Sequence, residues 1–149
     1  MKRWAPLTAA VLAVAVGGAI QAEGKSTRNQ PRSLTVRATV TSGKLVDNAP
    51  TGIVGAGDQV LEAEVARQHG VKVGHTVVAC TIVTDSLDSQ CSFTLRLAVG
   101  DIQYAGYGTR SGAETLSIVG GTRAYSKVRG FVVARPVGAK SHDLTFHLR

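Results

Sequence analysis

Two carboxylates set two residues apart, Glu62 and Glu64, are the first groups in this chain that could do chemistry. In a strand, alternate side chains share a face, so the pair would point the same way. Facing a cavity, two close carboxylates push their pKa values apart, and one can then give or take a proton. Facing solvent, they are a charged strand surface, which is the commoner outcome for such a pattern. Cys80 and Cys91 flank a polar turn around 85–89. Folding that hairpin near its tip sets the two opposite one another. In an exported protein, a pair so placed usually closes a disulfide. The rival arrangements are two buried free thiols, or Cys80 alone facing a pocket. Two cysteines with no nearby histidine cannot complete a zinc site of the usual spacing.

The other chemistry-bearing residues form weaker patterns. His69, His75, His142 and His147 show no metal-ligand spacing, so no metal site is expected. His142 and His147 are five residues apart and would point to opposite faces of a strand. Each reads as a surface or rim residue rather than a catalyst. There is no GxSxG elbow and no Cys/His nucleophile pattern. Gly120-Gly121-Thr122 resembles a phosphate cradle only superficially, because neither GxxxxGK nor a helix follows.

These residues need a frame, and the frame is written in alternation. Apolar Leu34, Val36, Ala38 and Val40 alternate with Thr35, Arg37 and Thr39, the period of a half-buried strand. Residues 41–57 carry Gly, Pro, Asn and Asp and read as an irregular connection. Gly57-Asp58 opens a run to Gln68 that pattern alone leaves as strand or short helix. Residues 71–84 are too long for a simple strand unless Gly74 supplies a bend or bulge. Strands follow over 90–98, through Ile102 and Tyr104, and through Leu116 and Ile118. Two more run from Phe131 to Arg135, stopping at Pro136, and over Leu144 to Leu148. Residues 114–133, ETLSIVGGTRAYSKVRGFVV, join two of these strands through a glycine turn built to bend sharply. Eight candidate strands with short turns suggest an all-β sandwich or barrel. A closed sheet of eight has no free edges and an interior that can hold one small ligand.

At 149 residues the chain makes one ordinary domain. Lys2 and Arg3 precede an uncharged run, Leu7 to Ile20, that is too short to span a bilayer comfortably. Residues 1–22 therefore read as a secretory signal peptide cleaved after Ala22, with an N-terminal membrane anchor as the alternative. Residues 23–32 are polar and aperiodic and read as a disordered leader, leaving 33–149 as the barrel domain. The mature protein is expected to be secreted, extracellular or periplasmic, with no membrane association after cleavage. The formal charge of +7 is spread out, with no run of like charges and no basic–aromatic alternation. Nucleic acid is therefore not an expected partner.

The strand order and four landmarks resemble the allene oxide cyclase and dirigent protein superfamily, in a bacterial-type secreted form. Residues 115–131, TLSIVGGTRAYSKVRGF, resemble that family's strand, GGTG turn, following aromatic, and ARG-aromatic run. Gly57-Asp58 resembles the GD that opens an early strand. Residues 73–80, VGHTVVAC, are similar to the VGxTxGxC of the plant cyclases, and Gly100-Asp101 with Gly106 resembles the next hairpin. The resemblance implies an eight-stranded antiparallel calycin-like β-barrel that binds an apolar small molecule, needs no cofactor and assembles as a trimer. It places Glu64 on a pocket asparagine or acidic position, Arg129 on the ARG arginine bordering the pocket, and Cys80 on a pocket cysteine. It sets Tyr104 in the strand that carries a pocket tyrosine; Glu62 is a pocket-lining candidate through the strand face it shares with Glu64, and the resemblance adds nothing to it. Three positions depart from the pattern: Ala38 replaces a first-strand glutamate, Arg123 the last glycine of GGTG, and Val128 the alanine of ARG. The first departure speaks against jasmonate-type cyclisation. The function implied is a secreted barrel that guides cyclisation or stereoselective coupling of an apolar substrate, with Glu64 and Arg129 as its catalytic groups. The alternative is a non-catalytic extracellular ligand-binding or structural barrel, so enzymatic activity stays open.

Overall fold

The computed structural model describes residues 33–48, 52–109 and 112–149; the expected signal peptide and leader lie outside them. The alternating stretches become eight strands. They are β1 (Ser33–Val46), β2 (Gln59–Gln68), β3 (Val71–Ile82), β4 (Ser89–Leu97), β5 (Gly100–Gly108), β6 (Glu114–Gly121), β7 (Gly130–Gly138) and β8 (Ser141–Leu148). Each pairs antiparallel with the next, and β1 pairs with β8, so the sheet closes into a barrel. This is the all-β, eight-stranded antiparallel barrel that the resemblance implies, and of the two architectures that strand spacing leaves open, sandwich or barrel, it is the barrel. Among the described residues the sole helical element is a 3-10 turn, Arg123–Tyr125.

Three strands run differently from their sequence pattern. β1 continues past Val40 to Val46, into the stretch read as an irregular connection. A bulge between Val40 and Ser42 shifts its register on β2, so alternation breaks while pairing continues to Val46 opposite Gln59. The run after Asp58 is a strand, fixed by its ten-residue ladder to β3. β7 continues through Pro136, which sits beside a register shift where a missing N–H is tolerated. Gly74 borders a bulge of β3, and a side chain there would strike the Arg96 carbonyl of β4.

Inward-facing residues form one apolar core: Val36, Leu95, Ile102, Leu116, Val132 and Phe146 are among those removed from water. Tyr125 and Val128 lie in the β6–β7 connection, are buried against this core and seal the end of the barrel where β6 finishes. At the opposite end, the buried Asp58 carboxylate accepts the amide N–H groups of Asn48 and Gly55, fixing the connection that leads into β2.

The glycine turn explains the Arg123 departure. Arg123 holds φ +50°, a left-handed conformation that costs a residue with a side chain and that glycine adopts freely. The residue aligned with the family glycine thus keeps the glycine-like backbone while carrying a long side chain. Arg123→Gly should raise stability by up to about 1 kcal/mol, the relieved strain being partly offset by the looser unfolded chain. Urea denaturation would show it as a higher midpoint with an unchanged slope. An unchanged or lower midpoint would sink the argument.

Candidate small-molecule site in the barrel

The strand parity that builds the core also carries polar groups inside. Glu64 on β2, Thr76 on β3 and Tyr104 on β5 are as buried as the leucines around them, with Glu64 only 1% exposed. Glu64 stands directly opposite Thr76, which stands opposite Leu95 of β4. One rung along, Glu62 pairs with Val78, Val78 with Phe93, and Phe93 with Tyr104. Glu62 and Glu64 therefore do share a face, and that face is the barrel interior.

Across β1 the imidazole of His142 reaches Glu64, with Nε2 3.1 Å from Oε1. Opposite His142 on β1 stands Ala38, whose methyl leaves the space the imidazole crosses. A glutamate there, as in the plant cyclases, would put another carboxylate in that space. The His142–Glu64 contact is close but poorly aligned for a hydrogen bond. Both carboxylate oxygens, the Thr76 hydroxyl and the Tyr104 hydroxyl lack a well-formed partner among the described residues. Such orphaned buried groups each cost about 1–3 kcal/mol, so an apolar barrel does not carry four of them for stability.

The electrostatics follow from this crowding. Contact with Glu64 raises the His142 pKa above the ordinary 6.5, burial opposing and the charges of Glu64, Glu62 and Glu114 adding to the rise. Burial raises the Glu62 pKa, the nearby Glu64 charge adds to it, and His142 opposes. Burial and then Glu64 push the Tyr104 phenol far above its ordinary range, so it stays protonated as a donor. The Thr76 hydroxyl beside it opposes weakly, without completing an aligned bond.

The pH dependence of stability has a definite sign. His142 and Glu62 both hold their protons more tightly folded than unfolded. The His142 contribution is complete below its unfolded pKa and is lost as pH rises through its folded one. Glu62 adds a loss above its own unfolded value. Thermal midpoints should therefore fall between about pH 5 and pH 8, and His142→Asn should flatten the upper part of that fall. A midpoint that climbs over this range would contradict the placement of both groups.

A cavity of about 190 Å³ opens beside His142, lined also by Phe93, Glu114, Leu116, Ala134, Pro136 and Leu144. Phe93 stacks parallel on Tyr104 with centroids 4.7 Å apart, and Phe146 meets Tyr104 edge-on at 5.3 Å. His142 thus touches the cavity on one side and the buried Glu64 on the other. Among the described residues no cluster of three or more His, Cys, Asp or Glu is placed to hold a metal.

The remaining expected site residues lie elsewhere. Cys80 and Cys91 face each other directly in register and are joined as a disulfide between β3 and β4, so neither is a pocket thiol. Arg129 is exposed at the sealed end, away from the cavity; its guanidinium donates to the Val128 carbonyl at 2.7 Å and its backbone pairs with Arg149. The structure does not bring it to Glu64. His142, read from sequence as a surface or rim residue, stands at the cavity mouth with a quarter of its side chain in solvent and its imidazole turned inward to Glu64; the inward turn was signalled by parity, since it shares a face with Leu144, Phe146 and Leu148. His147, on the other face, stacks on Phe131.

No protein-family model matches the chain, and no curated protein sequence matches it. Solved structures do. A pyocyanin demethylase superposes with TM-score 0.71 at 21% identity, over 78% of this chain and 99% of its own. A pterocarpan synthase dirigent protein gives TM-score 0.64 at 14% identity, over 78% of this chain and 81% of its own. The Diels-Alderase AbmU from Streptomyces koyangensis gives 0.65 at 18% identity, over 78% of this chain and 63% of its own. The fold is the one these proteins share. At such identities the likeness is one of architecture, and it agrees with the cyclase- and dirigent-like barrel that the landmarks resemble.

Proposed function

We propose that this protein is a secreted barrel that binds a small, largely apolar molecule at the Glu64–His142 end and guides its cyclisation or coupling by proton transfer. The observation that carries the reading is the set of buried polar groups without a well-formed hydrogen bond, Glu64, Thr76 and Tyr104, beneath a cavity lined mainly by apolar side chains. Glu64 takes a proton from a substrate O–H or C–H by way of the His142 imidazole, which meets both the cavity and Oε1 of Glu64. The electron pair released closes the ring on an electrophilic carbon of the same molecule. The phenol of Tyr104 donates to the oxygen on which charge develops, and the proton held by Glu64 returns there. The net change is an isomerisation, and holding one conformer of a flexible chain supplies much of the barrier reduction. The exposed Arg129 takes no part in this reading.

The neighbouring structures support a cyclase- or dirigent-like role by analogy: their names describe a dirigent protein and a Diels-Alderase. The disulfide supports export to an oxidising compartment. Exposed Leu61, Val77 and Tyr107 on the outer wall offer an apolar face for the trimer that the resemblance implies. Native mass spectrometry of protein purified from its source cells tests the reading. The expected result is a barrel carrying one co-purified small molecule. A barrel that is empty from every growth condition, and takes up no apolar probe, would overturn it.

A further inference from the structure

The barrel interior is acidic although the chain as a whole is basic. Three carboxylates, Glu62, Glu64 and Glu114, act on the single imidazole of His142, while the formal charge of the chain is +7. Among the described residues lining the cavity, Glu114 and His142 are the charged ones. Glu114 Oε1 accepts the Thr109 N–H at 2.7 Å. Both oxygens of Glu64 remain without a well-aligned donor. A carboxylate can only accept, so the complement it lacks is a donor or a positive charge. The other wall is aromatic: Phe93 lines the cavity and is backed by the parallel ring of Tyr104. A ring pair of this kind offers a planar surface and a negative quadrupole face. The cavity is at the small end for ligand sites, which suits a compact flat molecule.

We propose that the site selects planar aromatic cations, with the ring against Phe93 and the positive charge beside Glu114, the carboxylate that lines the cavity. The proposal rests on the reading of the barrel as a small-molecule site and refines the expected apolar ligand to an apolar ring with a delocalised positive charge. It has a proton consequence. The bound cation and the proton on His142 lie in one cavity, draw on the same Glu114 carboxylate and repel one another, so each disfavours the other. Binding releases a proton from the imidazole, and affinity rises with pH until His142 is neutral.

Three probes of similar size separate the possibilities: 1-methylquinolinium with fixed charge, neutral quinoline, and anionic 1-naphthoate. Isothermal titration at pH 8 should give 1-methylquinolinium an advantage of about tenfold or more, the size expected of one desolvated cation–π and charge contact. Its affinity should weaken as pH is lowered to 6, while that of quinoline stays flat. Glu114→Gln should remove most of the preference without changing quinoline binding. Quinoline or naphthoate binding as tightly as the cation would overturn the ligand class and leave the small-molecule reading standing. A cation affinity that does not change with pH would overturn the competition with His142. Failure of all three probes to bind would overturn the ligand class and the small-molecule reading together.

Discussion

Glu64→Gln should lower turnover by about 100- to 10,000-fold, the usual contribution of a general base, while leaving ligand affinity within a few-fold. The amide keeps the shape of the carboxylate and loses only its ability to take a proton. A companion substitution, Glu64→Leu, separates catalysis from structure by the sign of its effect on stability. Glu64 is 1% exposed, and neither of its oxygens receives a well-formed hydrogen bond. Its ion-pair partner, His142, keeps a quarter of its side chain in solvent and can return to water. Replacing the carboxylate with an apolar group should therefore raise stability by about 1–3 kcal/mol, the trade expected where a site is kept for function. The measurements are turnover once a substrate is found, probe affinity, and urea midpoints. Full activity in Glu64→Gln would remove Glu64 from the mechanism. A stability loss of several kcal/mol in Glu64→Leu would make the ion pair structural.

Removing the disulfide should have the largest effect on stability. Cys80 and Cys91 are joined across a separation of 11 residues. Constraining an unfolded loop of that size is worth about 2–3 kcal/mol. The bond also ties together β3 and β4 at the end where β2 begins, the strand that carries both Glu62 and Glu64. Cys80→Ser with Cys91→Ser should lower the urea midpoint accordingly, and thiol labelling of the unreduced wild-type protein should be negative. Two labelled thiols, or a midpoint that does not move on reduction, would contradict the assignment.

The architecture was legible because period-two alternation survives wherever one face of a strand is buried. Ser33–Val40, 90–97 and 144–148 show it directly. It failed where a bulge changes which face points inward: beyond Val40 the side chains fall out of step, so β1 looked six residues shorter at its end than the ladder to Gln59 shows. The carboxylate pair was legible as two groups on one face, but which face depended on closure of the sheet, a long-range event. His142 was harder. A histidine among Ser141, Asp143 and Thr145 looks like a surface residue until the parity of Leu144 and Phe146 is extended back to it. Its partner is supplied by a strand more than seventy residues earlier, and no local pattern reports that. Arg129 illustrates the opposite limit. A motif match placed it in the right connection, yet the connection lies at the sealed end of the barrel, away from the cavity.

The seam between β1 and β8 has a consequence for how the molecule comes into being. Its pairs join residues about 110 positions apart, Thr35 with Thr145 among them. The six hairpins from β2 to β8 can form from neighbours, but the ring cannot shut until the last strand is available, and that step carries the largest loop-closure entropy. His142 lies on that last strand and Glu64 on the second. The acid–base pair is thus assembled only when the circle closes, and an unfinished barrel has no site. The same seam brings Ser33 beside His147. A circular permutant that links these ends and opens the exposed turn at Asp85–Ser86 should keep the site while moving the late step to a different pair of strands.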